Sequence, residues 1–192
     1  TVEASGDEAM LLAKRLQHVV IIADEQKSRG AEFASKDFQI DAVIIDDGFQ
    51  HRRLQRDVDI VLIDAPSFFA NRWLLPAGPF RAPCHALPRA HIIILSNADK
   101  SPPQEISALS TLSHTHSTAL VYHARQAPQY LENIKTGERL SPSLLKGRKI
   151  FAACGIAQPA RFFAELVKLE AQVVGKAAFA DHHAFTIRQS TI

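Results

Sequence analysis

The sequence is poor in the features that mark secreted, membrane-spanning or nucleic-acid-binding proteins. It has two cysteines, Cys84 and Cys154, in 192 residues, which is typical of free thiols in a reducing compartment and too few for a disulfide scaffold. It contains no signal-peptide pattern and no run of about 18 apolar residues, so we predict no segment that crosses a bilayer. A formal net charge of +2 gives no strong field for nucleic acid.

What the sequence does contain is enough apolar material for a packed core. The apolar fraction of 46% argues against disorder. Short β-branched runs alternate with helical patterns, which predicts an α/β protein with parallel sheets. The predicted strands are 18–22, 42–45, 60–63, 92–95, 120–123, 149–154 and 173–179. The predicted helices are 25–35, 103–112 and 159–170, with a capping box at 5–8 that starts an earlier helix.

The length allows one large or two small domains. A polar stretch between residues 112 and 119 marks the predicted boundary, which gives domains of residues 1–115 and 116–192. Residues 65–90 are rich in proline and alanine and predict a long functional loop with short helical turns.

The most informative stretch is residues 41–53, where the apolar run 42–45 ends in Asp46, Asp47 and Gly48. Ligands of open parallel sheets bind at the carboxyl ends of strands. Two adjacent carboxylates repel each other unless a cation or a proton separates them, and Mg²⁺ held by carboxylates and substrate phosphates meets that need. The alternative is that the two aspartates only cap a turn. Composition and spacing by themselves indicate a metal or phosphate site.

The stretch from Asp46 to Asp64 resembles the signature of the tetraacyldisaccharide 4′-kinases, the lipid A kinases of Gram-negative bacteria. Further segments agree with that family in order and spacing, and the resemblance covers nearly the whole chain. They are Gly6–Glu8 before a helix, Asn71–Pro79, Gly155–Pro159 with Arg161–Phe163, and Phe179–His183. The resemblance implies a P-loop NTPase-like parallel sheet flanked by helices, plus a smaller C-terminal α/β unit.

The resemblance also implies catalytic roles. Asp7 matches the family's proposed general base, which takes the proton from the sugar 4′-hydroxyl as that oxygen attacks the γ-phosphorus of ATP. Glu8 caps the helix or supports the metal. A histidine of the Asp181–His183 motif pairs with the catalytic aspartate and orients it; we prefer His182, and His183 stays the alternative.

The remaining candidates are ligands of phosphate and metal. Asp46 and Asp47 resemble the acidic end of a Walker-B strand and are expected to hold Mg²⁺, while Gln50 and His51 are expected to contact the nucleotide phosphates. Five arginines in or near the stretch 46–56 and the loop 65–90 are candidates for binding phosphate groups of the substrate: Arg52, Arg53, Arg56, Arg72 and Arg81. Asp64 is expected to cap a turn, and Ser96–Lys100 loosely resembles a guanine-reading loop.

The family's phosphate-binding loop precedes its Gly-Asp-Glu segment, and no Gly-x-x-x-x-Gly-Lys-Ser/Thr sequence occurs here. We therefore expect an internal fragment that is inactive by itself. The resemblance implies a membrane-associated N-terminal segment in the absent part, which would place the enzyme peripherally on the cytoplasmic face of the inner membrane.

Two other interpretations remain open at this point. Asp181–His183 after a strand also resembles the motif of manganese phosphoesterases, with Asp46 and Asp47 completing a binuclear site. That family needs an Asp-x-Asp after an early strand, whereas Asp57-x-Asp59 precedes one. The other interpretation is a non-catalytic piece of scaffold.

Overall fold

The computed structural model describes residues 6–70, 74–78, 80–116, 118–181 and 183. The chain divides into two compact units, Thr1–Gln126 and Ala127–Ile192. We had expected the division between 112 and 119. It lies later because the strand 120–123 pairs with the sheet of the first unit rather than with the second.

A three-stranded parallel sheet forms the centre of the first unit, in the order β1-β2-β3. The strands are β1 (Ile60–Asp64), β2 (Ile92–Ser96) and β3 (Leu120–His123). Parallel neighbours need long crossovers, and helices supply them. Between β1 and β2 lie α3 (Ala65–Ala70) and a 3-10 helix (Cys84–Arg89); between β2 and β3 lie a short 3-10 helix (Ala98–Lys100) and α4 (Pro103–His116). The helical turns inside 65–90 and all three strands were predicted.

One face of this sheet carries the core. Ile93 and Leu95 of β2 are fully buried and pack with Leu109 of α4 and Phe68 of α3. Each such side chain contributes about 1.5–3 kcal/mol by leaving water. On the other face, Leu62 remains 67% exposed, because strand residues alternate between faces and the described helices cover only one.

Before the sheet, the chain forms two helices, α1 (Asp7–Arg15) and α2 (Lys27–Asp37). The N-cap of α1 is Gly6, and Ser5, the capping residue that the sequence predicts, lies outside the described residues. Ahead of α2, Asp24 accepts hydrogen bonds from the Arg29 guanidinium and from the backbone N–H of Gln26. These bonds lower the pKa of Asp24, with the Arg29 hydrogen bond contributing most.

Two predicted strands are absent from the described residues. Segments 18–22 and 42–45 form no β-ladder, and Ile44 is 96% exposed. The prediction that Asp46 and Asp47 follow a buried central strand is therefore wrong for this structure. An apolar run supplies β propensity, but a strand also needs a hydrogen-bonded neighbour, and no described segment pairs with these two.

The second unit contains a βαβ arrangement and a small hairpin. β6 (Lys149–Cys154) and β7 (Gln172–Ala178) pair in parallel, and α5 (Pro159–Lys168) connects them. All three elements match the predictions within a few residues. The hairpin pairs β4 (Leu131–Glu132) with β5 (Arg139–Leu140), and a 3-10 helix (Pro142–Leu145) leads to β6.

Candidate active site

The segment 46–54, called the motif loop below, is a series of turns rather than the end of a strand. Asp47 has a left-handed backbone with φ of 52°, a conformation that aspartate tolerates better than most residues. Gly48 is buried, and a Cβ atom there would lie 3.0 Å from Cγ2 of Ile45. The chain therefore folds closely over Ile45 at Gly48, and both aspartates are exposed.

Asp46 and Asp47 differ in their partners. The Asp47 carboxylate pairs with the Arg81 guanidinium, so the structure brings together two residues that the sequence singled out separately. Asp46 has no hydrogen-bonding or ionic partner within the described part of the chain. Two adjacent carboxylates suit Mg²⁺, which binds one or two protein carboxylates and completes its shell with phosphates and water. Mg²⁺ would compete with Arg81 for the Asp47 carboxylate. The described residues contain no cluster of three or more metal-ligating side chains.

The other polar residues of the motif loop point into solvent. Gln50, His51, Arg52 and Arg53 are exposed, and their side chains form no hydrogen bond or ion pair with any residue that the structure describes. Phe49 is half-buried, with the Arg89 guanidinium 4.0 Å from the ring centroid. The apolar member of the loop is therefore held by a cation–π contact, while its polar neighbours are available to a ligand.

The carboxyl ends of β1 and β2 are joined by a polar cluster that the sequence did not reveal. Asn97 Nδ2 donates to Asp64 Oδ1 at 2.7 Å, and the Ser67 hydroxyl donates to Asp64 Oδ2. Asn97 is 6% exposed and has φ of 53°. Asp64 thus tethers the loop after β2 as well as the first turn of α3. The Nδ2 group of Asn97 is therefore used by Asp64, whereas Asn97 Oδ1 is buried without a hydrogen-bonding partner among the described residues.

In the second unit, two motif segments that are distant in the sequence lie together. The Phe179 N–H donates to Cys154 O at 2.8 Å, and the His183 N–H donates to Ala180 O at 3.2 Å. The His183 ring stacks on Phe179 with centroids 4.6 Å apart. A Cβ atom at Gly155 would lie 3.0 Å from Cβ of His183. The absence of a side chain at Gly155 therefore permits the close approach of Ala180 and His183.

Replacing Gly155 with valine is expected to displace this turn, because a branched side chain has no room beside His183 and Ala180. The expected loss of stability of the second unit is about 1–3 kcal/mol, the usual cost of overpacking. Thermal denaturation measures it. Gly137→Val is not a fair control because Gly137 has a positive φ, so the matched control is Ala153→Val on the exposed side of β6. Equal melting temperatures for Gly155→Val and the unchanged protein would contradict the packing described.

Several predicted site residues are only partly described. Asp7 is the first residue of α1, which places its backbone at the helix N-terminus. Glu8 is exposed in the same turn. Arg72 and His182 lie outside the described residues, so the proposed pairing of Asp7 with His182 stays a prediction. His183, the alternative, is half-buried against Phe179.

A parallel sheet with polar and acidic residues after its strands places the chain among the open α/β proteins, which bind their ligands at the carboxyl ends of the strands. Within that class, residues 1–191 match the family profile described as Tetraacyldisaccharide-1-P 4′-kinase, and the chain belongs to this family. The fold and the motif spacing that the resemblance implied agree with that placement.

Individual relatives give the same result. The chain is 40% identical over 182 residues to the tetraacyldisaccharide 4′-kinase of Anaeromyxobacter dehalogenans strain 2CP-C, which covers 95% of this chain and 48% of the relative. It is 33% identical to the corresponding kinase of Halothermothrix orenii, covering 96% of this chain and 50% of that one. It therefore spans about half the length of these curated relatives.

A solved structure is also similar. LpxK from Aquifex aeolicus, crystallised as an "apo" form in complex with ATP, superposes with a TM-score of 0.68 and 28% identity. The match covers 97% of this chain and 56% of the crystallised one. The α/β architecture described above is thus that of a known kinase fold.

Proposed function

We propose that this chain belongs to an ATP-dependent lipid kinase that transfers the γ-phosphate of ATP to the 4′-hydroxyl of tetraacyldisaccharide 1-phosphate, a precursor of lipid A. The observation that carries the proposal is the motif loop. It presents Asp47 paired with Arg81. Beside it lie the exposed side chains of Asp46, Gln50 and His51, which have no hydrogen-bonding or ionic partner among the described residues, in a chain of this family. This set matches what phosphoryl transfer requires, namely positioning and charge neutralisation.

In this proposal Asp46 and Asp47 hold Mg²⁺, which neutralises charge on the phosphoryl oxygens when bound. Gln50 and His51 orient the oxygens of the transferred phosphate. The exposed guanidiniums of Arg52 and Arg53 are placed to bind the phosphate of the lipid acceptor, since arginine meets phosphate through two parallel hydrogen bonds. Arg81 is also proposed to bind phosphate. It pairs with the Asp47 carboxylate when no ligand is bound, and a phosphate group then takes the place of Asp47 as its partner.

Acceptor activation is proposed for Asp7. Its carboxylate takes the proton of the 4′-hydroxyl late in a loose transition state, where position matters more than basicity. His182 orients that carboxylate by a hydrogen bond, with His183 as the alternative, and Glu8 supports the helix turn that carries Asp7. Arg72 is proposed as a further phosphate ligand on the family resemblance alone.

The site of action that we propose is the cytoplasmic face of the bacterial inner membrane, with peripheral attachment. No helix in the described residues is long and apolar enough to cross a membrane. The acylated acceptor is itself a membrane lipid, so the enzyme must reach the bilayer surface.

The test is a transfer assay with the gene product in its full natural length. ATP labelled in its γ-phosphate is incubated with Mg²⁺ and tetraacyldisaccharide 1-phosphate. The proposal expects the label in the lipid fraction and no transfer without Mg²⁺. Label released only as inorganic phosphate, or release of phosphate from the lipid itself, would instead support a phosphoesterase and refute the proposal.

A further inference from the structure

We propose that Arg56 is a positioning residue, which holds the motif loop in the shape that presents Asp46, Asp47 and His51. The sequence predicted that Arg56 binds the phosphate of the lipid, whereas its contacts in the structure are with the motif loop and with Asp59. The catalytic consequence rests on the proposed function above, whereas the structural part does not.

The first evidence is that Arg56 ties together two turns of the motif loop. Its Nη1 donates to the carbonyl oxygen of Gly48 at 2.9 Å and to that of His51 at 2.7 Å. The same two oxygens accept two of the turn hydrogen bonds of the loop, from the N–H of His51 at 3.0 Å and from that of Leu54 at 3.1 Å. One guanidinium nitrogen therefore supports two carbonyls that take part in the local fold of the loop.

The second evidence is that Arg56 connects the loop to the sheet. Its Nε lies 3.0 Å from Asp59 Oδ1, and the two side chains are only 15% and 13% exposed. This contact is ionic, because the buried Nε has no hydrogen-bonding partner in the described part of the chain. Asp59 directly precedes β1, and its carbonyl accepts from the N–H groups of His91 and Ile92 at 2.9 and 3.2 Å. The loop is thereby anchored to the start of both β1 and β2.

The third evidence is the chemistry of the side chain. A guanidinium is always charged and offers five donors in a rigid plane, so it can meet two carbonyls and a carboxylate at once. The ammonium group of a lysine has no fixed fork and cannot reach all three. Arg56 is also mostly enclosed, unlike Arg52 and Arg53, which are exposed and unpaired among the described residues. The Nη1 donors and the charge of Arg56 are thus engaged within the protein, whereas the guanidiniums of Arg52 and Arg53 remain for a ligand.

The experiment compares Arg56→Ala, Arg56→Lys and Asp59→Asn in the full-length gene product. Hydrogen exchange of the His51 and Leu54 amides is the first readout, since both amides are bonded inside the loop that Arg56 supports. The second readout is the transfer rate as a function of acceptor and Mg²⁺ concentration. Arg139→Ala is the control, because within the described part of the chain the Arg139 side chain forms an exposed 3.6 Å ion pair with Glu132 and a contact with Tyr130, both in the hairpin of the second unit.

We expect Arg56→Ala to speed exchange at both amides, lower kcat about 10- to 100-fold and raise the Mg²⁺ requirement, with little change in the acceptor KM. The effects of Arg56→Lys on exchange and on kcat should lie between those of Arg56→Ala and the unchanged protein. Asp59→Asn should speed exchange at the same two amides. Arg139→Ala should change neither the exchange nor the transfer rate. Unchanged exchange with a raised acceptor KM would overturn the proposal in favour of direct phosphate binding. If Arg56→Ala does not fold, Arg56→Lys and Asp59→Asn decide by the same two readouts. If the unchanged protein transfers no phosphate, the proposed function fails, and the exchange arm alone still decides the role of Arg56.

Discussion

Replacing Asp7 with alanine in the full-length gene product is expected to lower kcat by about 100- to 10,000-fold, the range supplied by a positioned general base. ATP binding should change little, because the proposed role of Asp7 begins with the acceptor hydroxyl. His182→Ala is expected to lower kcat as well, since it removes the group that orients the base. The measurements are steady-state kinetics and a separate titration of ATP binding for each variant.

The double variant tests whether Asp7 and His182 act as one unit. Groups that act together show losses that do not add, so the double variant should be about as slow as the worse single variant. Fully multiplicative losses would mean that the two residues work independently, and the orienting role would be abandoned. His183→Ala is the control: if it is the damaging change and His182→Ala is mild, the role belongs to His183, which stacks on Phe179.

The second large effect is expected at the paired carboxylates. Asp46→Asn should lower kcat by about 1,000-fold, because a metal contributes several kcal/mol of charge stabilisation and each 1.36 kcal/mol is a factor of ten. The Mg²⁺ concentration for half-maximal rate should rise at the same time. Asn retains the size of the side chain, so a folding defect is not expected at this exposed position. A Mg²⁺ titration of the transfer rate measures both effects.

Asp47 and its partner refine this prediction. Asp47→Asn should also weaken Mg²⁺ binding, and asparagine suits the left-handed backbone at φ 52°. Arg81→Gln should instead lower the Mg²⁺ concentration for half-maximal rate, because it removes the guanidinium that competes with Mg²⁺ for the Asp47 carboxylate. Asp37→Asn, at the exposed end of α2, is the control. An unaltered Mg²⁺ titration in Asp46→Asn and Asp47→Asn would place the metal elsewhere.

The sequence predicted those parts of the fold that are specified locally. The β-branched runs at β1 and β2 are strands as expected, because they are apolar, short and bounded by polar residues. The run 42–45 has the same local character and is not a strand, since pairing depends on a neighbour that no local pattern reveals. The domain boundary was misplaced for the same reason: β3 belongs to the first unit only through its ladder with β2.

The candidate site likewise has parts that the sequence predicts and parts that it does not. Asp46, Asp47, Gln50 and His51 are predicted site residues because their order in the chain matches the family's signature, and their roles stay a prediction. The contacts of Asp64 with Asn97 and of Arg56 with Gly48 and His51 were not predicted, because they depend on which way a side chain turns after folding. The position of Arg56 in the sequence indicated that it lies close to the site. Only the burial of its guanidinium distinguishes a residue that supports the motif loop from one that binds the phosphate of the substrate.

The most direct test of the central claim is the position of the phosphate in the lipid product. The full-length gene product, ATP, Mg²⁺ and tetraacyldisaccharide 1-phosphate are incubated together, and the purified lipid is examined by phosphorus NMR. The account predicts a second phosphate monoester, attached to the 4′-oxygen of the disaccharide, with the original 1-phosphate retained. A lipid that carries no new phosphate, or that has lost its 1-phosphate, would contradict the account.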